Sequence, residues 1–295
     1  MIHAATDTGM PRLPLGEWVD TIVTWITTTF SGLFKVIRSI LTSAYDGLDT
    51  VLSGPPFWII VIALALIALF AKGWKLAVGT LAGFVVIAAV DQWSNAMDSL
   101  ALVILASAVA LVLAIPLGIW AARNDHVSRT LRPVLDFMQT MPAFVYLIPT
   151  VVIFRVGVVP GIVATVIFAM APGVRFTELG LRQVDREVVE AGHAFGSSDG
   201  RILRQIQLPL AMPTIMAGVN QVIMLALSMV VISGMVGAGG LGGDVVAALN
   251  RVNISLGFEA GLAVVILAMF LDRVTSAFGT RSKVAKAVAA ASASH

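Results

Sequence analysis

Residues 190–209 read EAGHAFGSSDGRILRQIQLP, a polar and charged segment that lies between two long apolar runs. Its first part, Asp185–Phe195, has the pattern of a short helix with small and apolar residues near one side. Gly196 follows directly, and glycine at this place is typical of a helix end because it adopts the required backbone without strain. The sequence therefore predicts a short helix that stops at Gly196.

A second helix is expected over about residues 200–207. Its first N–H groups can be capped by a side-chain oxygen of Ser197, Ser198 or Asp199. Pro209 is expected to terminate it, because proline has no N–H to donate to the preceding turn. This helix should expose Ile202, Leu203 and Ile206, flanked by Arg201 and Arg204, as apolar knobs that suit insertion into a partner's groove.

The composition around this segment is that of an integral membrane protein. Of the 295 residues, 58% are hydrophobic and 12% are charged, and the mean hydropathy is +0.94. Soluble domains carry about 25% charged residues. The chain has no cysteine, which excludes disulfides and Cys-bound metals, and no basic cluster with interleaved aromatic residues that would indicate nucleic acid.

Charge-free apolar runs predict about seven transmembrane helices, since a span needs about 17–25 mostly apolar residues. The seven predicted spans are Pro55–Ala71, Leu76–Val90, Ser99–Ala122, Phe137–Phe154, Val156–Val174, Thr214–Met235 and Ile254–Leu271. Lys and Arg are concentrated after the odd-numbered spans, so the N-terminus is expected outside and the C-terminus inside. This orientation places residues 190–209 in the cytoplasm. The first twenty residues have no apolar core of a signal peptide.

Before the first span, Leu15–Leu52 carries apolar residues at helical spacing opposite charged ones. The pattern predicts an amphipathic helix, broken near Ser31–Gly32, that lies in the membrane interface. A helix packed against the rest of the protein would show the same pattern.

Catalytic and cofactor motifs do not occur. The chain has no GxxxxGK[ST] loop and no HExxH motif, and its four histidines are remote from one another, so neither an ATP site nor a metal site is expected. Gly237–Gly242 matches GxGxxG formally but follows a membrane helix instead of a strand. Few ionisable residues fall deep inside the spans; Arg155, Glu178 and Glu259 lie near predicted ends. The energy for transport should therefore come from outside the chain.

The spacing Glu190-Ala191-Gly192, then Gly196, then Ile206-Gln207-Leu208-Pro209 resembles the EAA loop of ABC importer permeases. The match departs from the family only at Gly192, where alanine is usual. Two further stretches, Met138–Pro149 and Leu208–Gly243, together with the opening amphipathic helix, resemble permeases for glycine betaine, proline betaine and choline.

The resemblance implies an all-α, polytopic, type I ABC importer transmembrane domain that is not itself an enzyme. It divides the chain into an N-terminal extracytoplasmic segment (1–54), two accessory helices (55–97), the importer core (98–277) and a cytoplasmic tail (278–295). Residues 181–212 form what we call the coupling loop. Its expected ATPase-contacting residues are Glu190, Ala191, Gly192, Gly196, Ser198, Asp199, Arg201, Ile202, Leu203, Ile206, Leu208 and Pro209.

The same resemblance implies the partners: a second copy of the permease, two cytoplasmic ATPases that bind ATP–Mg, an extracytoplasmic binding protein and the inner membrane of a bacterium. The chain itself should hold no cofactor. Members of this family take up compatible solutes under osmotic stress.

Polar residues and prolines in spans four and six are candidates for lining the translocation path: Gln139, Thr140, Pro142, Tyr146, Asn220 and Gln221. Pro142 and Pro149 can kink span four and turn backbone groups toward a cavity. Interhelical hydrogen bonding would equally explain the polar side chains. Gly237, Gly239 and Gly240 are candidates for a hinge or re-entrant turn after span six, or for a plain flexible loop.

Two alternatives remain open on the sequence alone. The solute could be methionine or another small molecule, because the coupling loop does not report it. The chain could also be an ATP-independent osmolyte carrier or channel.

Overall fold

The computed structural model describes residues 13–280, with side chains to residue 277, and these residues form helices and connecting turns without any strand. The predicted cytoplasmic tail lies outside the described residues from position 281 onward, as do the first twelve residues of the predicted N-terminal segment. An all-helical fold is thus confirmed.

Seven helices make up the N-terminal half: α1 (Leu15–Thr29), α2 (Ser31–Ser53), α3 (Phe57–Lys72), α4 (Trp74–Ala89), α5 (Trp93–Arg123), α6 (Asp125–Thr140) and α7 (Leu147–Phe154), with a 3₁₀ turn at Ala143–Tyr146. The C-terminal half contains α8 (Val158–Arg182), α9 (Arg186–Ala194), α10 (Asp199–Ile202), α11 (Leu208–Gly234), α12 (Gly240–Arg251) and α13 (Ile254–Thr280), with a π-helical turn at Leu203–Gln207.

The predicted amphipathic helix is confirmed, with its break at Phe30 between α1 and α2. No residue of α1 is buried, and its apolar side chains, Trp18 and Trp25 among them, are more than half exposed. Such an apolar face is stable in the membrane interface. In contrast, α2 buries Leu41 against the helical core. Both interpretations of the segment therefore apply, one to each half.

Among residues 13–280, four helices are long and apolar enough to cross a membrane: α5, α8, α13 and the continuous helix Asp199–Gly234. Two bent pairs, α2 with α3 and α6 with α7, bring the number to six if each pair counts as one span. The remaining predicted span corresponds to α4, which is apolar but has only 16 residues.

The fourth predicted span, Phe137–Phe154, is wrong as a continuous helix. The chain bends by 105° between α6 and the segment that follows it. Met141 has an extended backbone and Pro142 follows it, because the proline ring excludes the preceding residue from the helical region. The predicted kink at Pro142 is thus present, whereas Pro149 lies in the first turn of α7, where proline is tolerated.

At the centre of the bundle, α8 lies between α5 and α11. Small residues allow these helices to approach closely: a Cβ atom added to Gly173 would lie 2.8 Å from that of Ala114 on α5. Close packing of small residues is the usual means of holding membrane helices together. This central helix leads directly into the coupling loop at its C-terminal end.

Candidate coupling loop and translocation path

The first helix of the coupling loop, α9, is capped at both ends. The Asp185 carboxylate accepts a hydrogen bond of 2.9 Å from the backbone N–H of Glu187. At the other end, the N–H of Gly196 donates to the His193 carbonyl at 2.8 Å and the N–H of Ser197 donates to the Gly192 carbonyl at 3.1 Å. This is the Schellman arrangement, which requires a left-handed residue, and Gly196 has φ +76°. The predicted break at Gly196 is therefore present.

The glycine at position 192 lies where α9 crosses the second helical segment. It is buried, and a Cβ atom added there would lie 3.0 Å from Cδ1 of Ile206 and 3.3 Å from Cγ1 of Ile202. A small residue at this position lets the two helices pack directly on each other. The departure from the family pattern thus falls at the point of closest approach within the loop.

The apolar residues of the second segment are less accessible than the sequence suggested. Ile202 is only 2% exposed, and Leu203 and Ile206 are half-buried. These side chains face α9 and the start of α11, so they hold the loop together instead of projecting from it. The prediction that all three are exposed is wrong, because the crossing with α9 supplies a surface that periodicity alone does not show.

The ends of the second segment also differ from expectation. Ser198 occupies the N-cap position, yet it acts through its backbone carbonyl, and none of the three candidate side chains caps the helix. At the other end, Pro209 does not terminate the helix: Asp199–Gly234 is one helix of 36 residues. The N–H of Leu208 bonds to the carbonyl of Leu203, five residues back. This π-type turn places Pro209 at the start of the following α-helix, where its missing N–H leaves no bond unmade.

The accessible surface of the coupling loop combines one aromatic residue with charges. Phe195, next to the turn, is 89% exposed, which is exceptional for a phenylalanine. Around it lie five further exposed residues: Glu190, Ala191, Asp199, Arg201 and Arg204. Leu208 and Pro209 are half-buried at the entry to α11. An exposed aromatic residue with a polar rim is typical of a protein-binding surface.

Arg182, the last residue of α8, connects the coupling loop to three membrane helices. Its guanidinium donates to the Ala121 carbonyl on α5 at 2.9 Å, to the Asp125 carboxylate on α6 at 2.7 Å and to Glu178 on α8 itself at 2.9 Å. Fixed bonds to three helices make this residue a rigid junction. The loop begins within three residues of it.

Glu178 is the buried acceptor at this junction, with a side chain only 8% exposed. It accepts from the Ser128 hydroxyl at 2.6 Å and from Arg132 at 3.2 Å, in addition to Arg182. Arg175 and Asp136 form a further ion pair between α8 and α6, beside a cavity of about 350 Å³. Because its charges are paired in this way, α8 extends well past the predicted span end at Val174.

The residues proposed to line the path lie in different surroundings. Gln139 and Thr140 are exposed at the end of α6, just before Pro142. Tyr146 is buried, donates to the Met138 carbonyl at 2.6 Å and packs near Phe168. Its hydroxyl is therefore engaged in holding the bend between α6 and α7.

On α11, Asn220 and Gln221 differ in orientation. Asn220 donates to the Asp272 carboxylate at 3.0 Å and accepts from Thr275 at 2.5 Å, both on α13. This is interhelical hydrogen bonding of the kind weighed against a path role. Gln221 is exposed. The structure does not bring Asn220 together with Tyr146, which packs against α8 and against Met229 further along α11.

The three hinge candidates all have positive φ: +79° at Gly237, +72° at Gly239 and +61° at Gly240. They form a tight turn between α11 and α12 that is packed against neighbours. A Cβ atom added to Gly240 would lie 2.6 Å from the Ser99 hydroxyl, which accepts from the Leu241 N–H at 2.9 Å. Next to this turn, Asp244 accepts from Gln92 and Asn95, which ties α12 to the start of α5.

Sequence reasoning missed Phe195 and the Glu178–Arg182 junction. Glu178 and Arg182 are four residues apart, a spacing that favours an ion pair on a helix. For Phe195 the only signal was a large aromatic residue directly before a turn glycine in a polar segment.

The fold and this loop together define the class: a transmembrane domain of the type I ABC importer kind. Two inward-facing structures of the MetNI methionine ABC transporter match with TM-scores of 0.58 and 0.59, at 22% and 20% sequence identity, over 63–64% of this chain and 93–94% of theirs. At that identity the likeness concerns the fold alone.

The family model described as "Binding-protein-dependent transport system inner membrane component" matches residues 114–284. The chain is 46% identical to the glycine betaine transport system permease protein OpuAB of Bacillus subtilis, over 93% of this chain and 97% of that protein. It is 47% identical to the glycine betaine/carnitine transport permease protein GbuB of Listeria monocytogenes, over 93% and 98%. Identity to the glycine betaine/proline betaine permease ProW of Escherichia coli is 45%, over 92% and 77%.

The chain therefore belongs to the family of binding-protein-dependent transport system inner membrane components, and it is a multi-pass membrane protein.

Proposed function

We propose that this chain is the translocation subunit of an ATP-driven importer for a compatible solute of the glycine betaine type. The observation that carries the proposal is the coupling loop, whose capped helices and Gly196 turn keep the EAA spacing in one compact unit. The names of three relatives at 45–47% identity support the choice of solute. They do not favour a methionine permease, an ATP-independent carrier or a channel.

The coupling loop is the docking surface for a separate ATPase. Phe195 enters an apolar pocket of the partner, and the surrounding charges form the rim. ATP–Mg is bound by that partner, and this chain has no ATPase site of its own. The complete importer contains two copies of this chain, two ATPases and one extracytoplasmic binding protein.

Closure of the ATPases on ATP displaces the coupling loop. The displacement reaches the membrane by two routes: along the continuous helix Asp199–Gly234, and through Arg182 into α5, α6 and α8. Since α8 packs between α5 and α11, these helices move relative to one another and expose the path to alternate sides.

In the membrane, the N-terminus lies outside and the coupling loop inside. The distribution of Lys and Arg supports this orientation. Solute recognition resides mainly in the binding protein, because a quaternary ammonium ion is typically held in an aromatic cage and this chain has only two tyrosines and six tryptophans. Gln139, Thr140, Pro142 and Gln221 are the proposed low-affinity path residues.

Uptake into proteoliposomes tests the proposal. Vesicles would contain this chain, its ATPase and a candidate binding protein, with labelled glycine betaine, proline or choline outside and ATP inside. ATP-dependent accumulation of glycine betaine is expected, and none without ATP. Accumulation driven by an ion gradient without the ATPase would contradict the importer, whereas ATP hydrolysis without uptake of any of the three solutes would contradict the solute.

A further inference from the structure

A second charged cavity lies at the end of α8 opposite the coupling loop. It has a volume of about 410 Å³ and occupies the angle between the end of α1, the first turns of α2 and the C-terminal end of α7. Three cations line it: Lys35 and Arg38 from α2, one turn apart, and Arg155 directly after α7. All three are exposed.

These three cations differ from the other arginines that line a cavity. Around the cavity between α6 and α8, each of Arg132, Arg175 and Arg182 has a carboxylate partner. Within residues 13–280, no ion pair involves Lys35, Arg38 or Arg155. Three unpaired cations held around one concave site leave an uncompensated positive potential, which attracts an anion.

The cavity also supplies a hydroxyl group and the start of a helix. Ser31 opens α2 and lines the cavity, so the positive end of the α2 dipole lies there as well. Arg and Lys together with a hydroxyl group and a helix start are the donors that bind phosphate oxygens.

The surroundings indicate where the phosphate comes from. Phe34, Val152 and Ile153 form an apolar part of the same cavity. Beside it, α1 presents exposed Trp18 and Trp25, the residues that favour the level of lipid headgroups. A soluble anion would gain nothing from this apolar surface, whereas the acyl chains of a lipid would cover it.

We propose that the cavity formed by Lys35, Arg38, Arg155 and Ser31 binds the phosphate group of an anionic phospholipid in the leaflet opposite the coupling loop. The lipid then fixes the amphipathic α1–α2 pair against the α7–α8 junction.

Native mass spectrometry of the purified permease in detergent tests this site. The probes are phosphatidylglycerol, which is anionic, phosphatidylcholine, which has the phosphate group but no net charge, and glycerol 3-phosphate, which has no acyl chains. The wild-type chain should retain one phosphatidylglycerol per chain with an affinity at least about tenfold above that for phosphatidylcholine, since each Lys or Arg contributes measurably to binding of anionic lipid. Glycerol 3-phosphate should compete only at much higher concentration.

In the variant Lys35→Gln/Arg38→Gln, the affinity for phosphatidylglycerol should fall about tenfold or more. The variant Lys35→Arg/Arg38→Lys should retain it. Lys72→Gln/Lys75→Gln removes the same charge from exposed positions at the α3–α4 turn and should leave it unchanged. Thermal unfolding of each variant, measured in parallel, verifies folding.

Equal lipid retention by Lys35→Gln/Arg38→Gln and the wild type would overturn the proposal, as would an equal loss in the Lys72→Gln/Lys75→Gln control. Binding of glycerol 3-phosphate without any preference for phosphatidylglycerol would show a soluble anion as the ligand and reject the lipid. Loss of binding-protein docking with unchanged lipid retention would reassign the cavity to a protein contact.

Discussion

Nε of Arg182 lies 2.9 Å from Oε1 of Glu178, one helical turn earlier on α8, and this pair stands at the point where the coupling loop leaves the membrane helices. The guanidinium is only one-third exposed and the carboxylate is nearly buried. Breaking such a pair leaves a buried group without its partner, which is costly.

Replacing Glu178 by Gln tests the junction. Hydrogen bonds to charged groups contribute about 1.5–3 kcal/mol each, so a loss of thermal stability by several degrees is expected. More importantly, uptake should fall more steeply than ATP hydrolysis in proteoliposomes, because α5 and α6 no longer follow the loop. Arg129→Gln, an exposed position on α6, is the control. Unchanged coupling of uptake to hydrolysis in Glu178→Gln would contradict a transmitting role.

Substitutions at Gly196 should follow backbone strain and not side-chain volume. Its φ is +76°, and no atom lies within 4 Å of an added Cβ. Gly196→Val should therefore cost about 1–2 kcal/mol and reduce copurification of the ATPase, whereas Gly196→Asn should be mild, since asparagine tolerates the left-handed region. Gly200→Ala, in open space with helical backbone, is the matched control. Equal effects of Val and Asn would argue against the strain.

Gly192 should accept one methyl group and no more. Alanine gains about 1 kcal/mol of helix propensity over glycine. Its Cβ would crowd only Cδ1 of Ile206, the flexible end of a side chain. We therefore expect Gly192→Ala to unfold within a few degrees of the wild type and Gly192→Leu to lose loop structure and uptake. If the contact with Ile206 is limiting, Ile206→Val in the alanine background should raise the melting temperature; a further drop would locate the crowding elsewhere.

Phe195 should contribute to partner binding without contributing to stability. Because its side chain is 89% exposed, Phe195→Ala should leave thermal unfolding of the isolated permease unchanged. Burial of a phenylalanine in a partner contributes about 1.5–3 kcal/mol, so the ATPase should bind about tenfold to a hundredfold more weakly. Titration of labelled ATPase into permease nanodiscs measures this. Phe195→Leu should retain most of the affinity, and wild-type affinity in Phe195→Ala would place the contact elsewhere on the loop.

Asn220 should act on stability and not on solute affinity. Its amide joins Asp272 and Thr275 on α13. Interhelical hydrogen bonds of this kind contribute about 0.6 kcal/mol on average and up to about 1.7 kcal/mol. Asn220→Ala should lower the melting temperature while the solute concentration for half-maximal uptake stays the same. Gln221→Ala, the exposed neighbour, should show the reverse pattern if it lines the path.

The coupling loop illustrates what the sequence could and could not predict. The break at Gly196 is local turn chemistry, so the spacing of α9 and the glycine was sufficient. The burial of Ile202 depends on the crossing with α9, and the passage through Pro209 depends on a shift to π-type bonding. Neither is encoded in a local pattern, because each requires knowing which backbone group meets which.

The membrane helices show the same division. Hydropathy located every apolar segment, but it averages over Met141–Pro142 and therefore joined α6 to α7 across a 105° bend. The partners of Glu178 on α6 are 46 and 50 residues distant in sequence. A single charged residue near a span end does not reveal such partners, which is why only Arg182, four residues away, was within reach of pattern reasoning.

The uninterrupted course from Asp199 to Gly234 has a mechanical consequence. At about 1.5 Å per residue, 36 residues form a rod about 54 Å long, longer than the hydrocarbon layer is thick. Such a rod acts as a lever whose short arm is the coupling helix and whose fulcrum is the contact with α8. A tilt imposed at Asp199 sweeps Gly234, at the far end, in the opposite direction without any joint along the way.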